Sequence, residues 1–146
     1  MCRSSGVGAR KGFTLVELAV VIVIIGVLAA FGVPRFLQSV ERSKASEAFQ
    51  YLAAVRSAQE RYVSKEGVYA GTTGSLDITQ TPPKYFTVGT ITATNPGGGT
   101  PTWTLTLTRI SATSSYGGYT VVFTQDGFDT TGSTIIAQSG INPMGT

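Results

Sequence analysis

A chain of 146 residues with a formal charge of +3 has room for one ordinary domain. With no histidine it lacks the side chain behind most general acid–base chemistry, Ser-His-Asp triads and most zinc sites. Its single cysteine, Cys2, excludes an internal disulfide. The positive charge points to no nucleic-acid partner: Arg3, Arg10 and Lys11 precede Gly12, and from residue 13 onward eight basic side chains balance eight acidic ones.

The first element in chain order is Gly12 to Pro34, GFTLVELAVVIVIIGVLAAFGVP, an aliphatic run interrupted by one carboxylate, Glu17. As a helix, Gly12 to Val33 spans roughly 33 Å, enough to cross a bilayer core of about 30 Å. The competing reading is a cleaved secretory signal, whose apolar region is usually about 7–15 residues, with Ala30-Phe31-Gly32 as its cleavage site. Lys and Arg number three on each side of the run (Arg3, Arg10, Lys11; Arg35, Arg42, Lys44), so charge counting does not orient it. Gly26, Ala29, Ala30 and Gly32 would let helices approach closely, yet such residues are also ordinary in a lone anchor.

The order Arg10-Lys11-Gly12-Phe13-Thr14-Leu15-Val16-Glu17, then the apolar run, then Pro34, resembles the class III signal of type IV prepilins. The resemblance implies a leader, 1–12, with a cytoplasmic location. It also implies a prepilin peptidase that cuts between Gly12 and Phe13, and N-methylation of Phe13. Glu17 becomes the fifth residue of the mature chain and sets assembly register against Phe13 of a neighbour. The apolar segment 13–34 then stays on the protein, in the inner membrane before assembly and in the core of an extracellular filament afterwards. Implied partners are the chain itself as a helical homopolymer, the peptidase, the pilus assembly machinery of the inner membrane, and the membrane. Pseudopilins of type II secretion systems share every one of these N-terminal features. Many pilins carry a Cys pair in the C-terminal region; this sequence departs from them there.

Residues 35–67 read as an amphipathic helix. Leu37, Val40, Ala45, Ala48, Leu52, Val55, Ala58 and Tyr62 fall near one stripe, and Gly67 supplies a stop. Pro34 lacks an amide hydrogen and, with Gly26 and Gly32, marks where the long helix kinks or melts. Run together from Thr14 to Lys65, the helix is about 78 Å long.

Residues 68–146 form the head. Tyr85 to Thr94 alternates loosely, Asn95 to Pro101 is a turn, and Thr102 to Ile110 alternates cleanly, with Trp103, Leu105 and Leu107 on one face and threonines on the other. Tyr119 to Thr124 is the next strand and Thr134 to Gln138 a last short one. Consecutive strands joined by turns give an antiparallel sheet whose apolar face suits the helical stripe. The expected fold is α+β: a long N-terminal helix, its hydrophobic half protruding, packed on a small antiparallel sheet. Asp126 and Asp129 are calcium candidates, against the plainer reading of an Asp-Gly turn. The exposed Thr and Ser serve as strand formers or O-glycan acceptors. No catalytic constellation and no cofactor site is expected.

The function expected from residues and resemblance together is a structural subunit of a type IV pilus used for adhesion, motility or DNA uptake. The alternatives are a pseudopilin of a type II secretion system or competence pseudopilus, and a membrane-anchored extracellular binding module that does not polymerise.

Overall fold

A computed structural model describes residues 12–138 and 140–145. The chain divides between Leu37 and Gln38 into two compact units.

In the first unit, Leu15 opens helix α1, which runs as one element from Leu15 to Glu66 through Gly26, Gly32 and Pro34. No residue from Gly12 to Phe36 is buried or half-buried. Among the described residues, α1 is the one helix long and apolar enough to cross a membrane.

In the second unit, α1 continues with a buried stripe at Glu41, Ala45, Ala48, Leu52, Val55 and Gln59, the three-to-four residue spacing of one helical face. Leu37, expected on this stripe, is 45% exposed. Gly67 ends the helix as expected: its φ of +74° is in the left-handed region, and its N–H donates to the Val63 carbonyl at 2.8 Å.

Five antiparallel strands face this stripe: β1 (Phe86–Val88), β2 (Thr92–Thr94), β3 (Thr102–Arg109), β4 (Thr120–Thr124) and β5 (Gly127–Phe128). The sheet order is β1-β3-β4-β5, with β2 also paired to β3. The strict alternation of β3 buries Trp103, Leu105, Leu107 and Arg109 and turns its threonines away from the core. Leu52, Leu105 and Leu107 have no solvent exposure, and each contributes about 1.5–3 kcal/mol by burial.

Two expectations about strands are corrected. The segment 85–94 is not one strand: β1 pairs at 107–109 of β3 and β2 at 102–104. The inward side chains are Phe86, Val88, Ile91 and Ala93, so the alternation slips by one residue between Val88 and Ile91. At that slip Gly89 donates its N–H to the Thr106 carbonyl at 3.0 Å, and a Cβ on it would lie 2.8 Å from the same oxygen. The segment Thr134–Ala137 is a 3-10 helix rather than a strand. Ser133 and Thr134 instead close the free edge of β4 with their hydroxyls, which accept the N–H groups of Val122 and Thr120 at 2.8 Å each.

Candidate functional site

Of the residues expected to be processed, Gly12 and Phe13 are described and exposed, Phe13 at 79%. The rest of the leader, residues 1–11, lies outside the described residues. Thr14 and Glu17 form a reciprocal cap at the start of α1. The Thr14 N–H and Oγ1–H both donate to Glu17 Oε2 at 2.9 Å, and the Glu17 N–H donates to Thr14 Oγ1 at 3.2 Å. This is a capping box, in which two orphan N–H groups of the first turn are satisfied by side chains three residues apart. The Thr-x-x-Glu spacing before an apolar run carries that signal in the sequence, where the charge of Glu17 in an aliphatic run masks it.

Beyond the cap, Leu15, Val16, Ala19, Val20, Val23 and Ile24 form an uncharged, exposed face of α1. A Cβ added at Gly26 or Gly32 would meet nothing within 4 Å, so neither glycine is required by packing inside the chain.

In the second unit a buried polar cluster ties α1 to the sheet. Arg109 Nε donates to Glu41 Oε1 at 2.6 Å and its Nη2 to Oε2 at 3.2 Å. The remaining guanidinium donors reach the Tyr85, Ile110 and Thr113 carbonyls and Thr113 Oγ1. Tyr119 Oη donates to Glu41 Oε1 at 2.9 Å. Burial pushes the Glu41 carboxyl up, but the hydrogen bonds from Arg109 and Tyr119 outweigh it and hold the group below its usual value. Burial, then the bond to Glu41, drives the Tyr119 phenol well above its usual range.

Two carboxamides clamp the chain as it leaves α1. Gln59, fully buried, donates to the Ala70 carbonyl and accepts the Ala70 N–H, both at 2.9 Å. Asn95 does the same for Tyr69, at 3.1 and 2.9 Å.

Asp126 and Asp129 sit in local turn geometry. Asp129 Oδ1 accepts the Thr131 and Gly132 N–H groups at 2.9 and 3.0 Å, and Asp126 Oδ2 accepts Gln125 Nε2 at 2.8 Å. Among the described residues no three His, Cys, Asp or Glu side chains gather where a metal would be held.

Together, the exposed apolar start of α1 and its continuation against a small antiparallel sheet define a pilin-like α+β protein. Residues 8–33 match the family described as the prokaryotic N-terminal methylation motif. Gly12, Phe13, Glu17, Gly26 and Gly32 fall within that range, and Pro34 lies just beyond it. The chain is 42% identical over 72 residues to fimbrial protein EcpC of Eikenella corrodens, covering 49% of this chain and 47% of the relative. It is 45% identical over 61 residues to the type IV major pilin protein PilA of Myxococcus xanthus, covering 42% and 28%. To the type II secretion system core protein G of Vibrio cholerae it is 38% identical over 74 residues, covering 51% of each. The chain thus spans about half or less of the length of these relatives.

Proposed function

We propose that the chain is a pilin-type structural subunit that polymerises through the apolar half of α1. The observation that carries the reading is that every residue from 12 to 36 is exposed, an apolar surface that a water-soluble monomer cannot leave bare, joined to a match with the N-terminal methylation motif. Membrane lipid covers that surface first, and copies of the same segment cover it after assembly. In this mechanism the prepilin peptidase cuts after Gly12 and methylates Phe13. The chain waits in the inner membrane, single-pass, until the assembly machinery extracts it into an extracellular filament serving adhesion, motility or DNA uptake.

A second reading, a pseudopilin, is favoured by the similarity to a secretion-system core protein G. Shearing cells and identifying the main chain of the released fibre tests the proposal. A long fibre made chiefly of this chain supports a pilus subunit. Lost protein secretion in a knockout, with no such fibre, supports the pseudopilin. A membrane protein with neither property is an anchored binding module, and the filament reading falls.

A further inference from the structure

Helix α1 passes from bare to buried within about one turn. Every residue from 12 to 37 is exposed, Gln38 and Val40 are half-buried, and Glu41 and Ala45 are buried. The stretch just ahead of Gln38 is weak: Pro34 has no N–H to offer the preceding turn, and Gly26 and Gly32 lower helix propensity. Helix opening spreads from weak places along the hydrogen-bond ladder, so it runs on into the second unit unless the next turn is held.

Residues 140–145 hold that turn. Gly140 lies against Gln38: a Cβ on it would run into the Gln38 carboxamide, and its φ of +84° is in the left-handed region. One turn along, Arg42 Nη2 donates to the Pro143 carbonyl at 3.4 Å, across 101 residues of sequence. Gln38 and Arg42 are four residues apart and so share one face of α1. Between the two contacts, Ile141 is fully buried in the core and Asn142 is 7% exposed.

The segment also carries its own shape. Asn142 Oδ1 accepts the Met144 N–H at 3.1 Å, and its Nδ2 donates to the Gly145 carbonyl at 3.0 Å. The Gly145 N–H returns to the Asn142 carbonyl at 3.3 Å. Anchored by Ile141 and closed on itself, it meets α1 as a formed loop.

We propose that residues 140–145 are a strap on α1 that keeps the turn 38–42 closed, so that opening of the bare half stops before Gln38. The division of the chain between Leu37 and Gln38 falls at the edge of this strap. Glu41 lies inside the strapped turn and therefore keeps its bond to Arg109 when residues ahead of Gln38 open.

Amide hydrogen exchange of the full-length chain in detergent micelles tests the strap. Gln38→Ala and Arg42→Ala release it from the helix side, and Gly140→Ala disturbs the loop itself. Alanine is the better helix former, so the first two strengthen α1 intrinsically and can speed exchange only through the lost contacts. Each variant should speed exchange several-fold at residues 39–45 and leave residues 48–59 at the rate of the unaltered chain. Unchanged exchange at 39–45 in Gln38→Ala and Arg42→Ala overturns the strap. So does a rise in all three variants that is as large at 48–59 as at 39–45, which is a general loss of stability. No fibre enters the measurement, so failure here leaves the filament reading standing.

Discussion

Arg109 and Glu41 meet side by side across 68 residues of sequence, Nε to Oε1 at 2.6 Å, with side-chain exposures of 0% and 4%. A pair this dry does not stabilise simply by Coulomb attraction, because desolvation costs each ion several kcal/mol. What makes it tolerable is saturation: every guanidinium donor has an acceptor, and Tyr119 and Ser114 also donate to the carboxylate. Removing one partner therefore strands the other. Glu41→Ala should destabilise the folded unit by about 3–5 kcal/mol, read as a drop in Tm in detergent micelles. Arg109→Lys should not rescue, since one ammonium cannot reproduce the fork.

The same cluster makes stability depend on acid. The Glu41 carboxyl is held below its ordinary value of 4.5, so its contribution is fully present above that pH and is lost as pH falls through the lower folded-state value. Unfolding scans from pH 6 downward should show Tm falling more steeply below about 4.5 than in Glu41→Gln, which has no such proton to gain. Parallel curves for the two proteins would remove Glu41 as the source.

The clamp on Tyr69 and Ala70 has an internal reporter, because Trp103 is the only tryptophan, is 1% exposed and lies edge-on to Tyr69 with ring centres 6.5 Å apart. Gln59→Leu leaves the Ala70 N–H and carbonyl without partners in a buried place and should cost about 1–3 kcal/mol. Asn95→Ala acts where solvent can replace the lost bonds, so its global cost should be smaller, about 1 kcal/mol. In both, Trp103 emission should shift to the red and quench more readily with iodide, whereas unchanged emission would mean the clamp does not hold Tyr69 in place.

Gly89 should resist substitution for a steric reason. Its missing Cβ would press on the Thr106 backbone carbonyl, which a strand cannot easily yield, so Gly89→Ala should cost about 1–3 kcal/mol. Gly74→Ala, with open space around it, is the control and should be near neutral.

The parts legible in the sequence are those governed by a single period. The stripe from Ala45 to Ala58 and the alternation from Thr102 to Arg109 follow one face each, and Gly67 stops α1 for a stated backbone reason. The split between β1 and β2 escapes because a one-residue slip among Gly, Thr and Val changes the period without changing composition. Ile135 and Ile136 make too short a run to tell a strand from a 3-10 turn, and the turn wins by lending Ser133 and Thr134 hydroxyls to β4. Glu41 and Arg109 are invisible as a pair, since a charge at the margin of an apolar stripe reads as its solvated flank and nothing local names its distant partner.

Glu17 now has two candidate duties, and a conservative substitution separates them. An acidic group in a membrane helix costs about 2.5–3.5 kcal/mol at the centre on insertion scales, less near the interface, so its presence needs a reason. One reason is local: Glu17 Oε2 takes both Thr14 donors and closes the first turn of α1. The other belongs to the filament reading, in which the carboxylate neutralises the amino group of a neighbour's Phe13 once residues 1–12 are removed. Both donors converge on one oxygen, which leaves Oε1 for a second partner, so the duties are compatible. Glutamine serves a capping box nearly as well as glutamate but carries no charge. Glu17→Gln should therefore preserve helix content, membrane insertion and a mature chain beginning at methylated Phe13 by intact mass, while sheared fibre falls sharply. Thr14→Ala should weaken the first turn by about 0.5–2 kcal/mol and leave the charge in place, with a milder loss of fibre. If Glu17→Gln makes normal amounts of fibre and Thr14→Ala does not, capping is the role of this carboxylate and register must be set elsewhere.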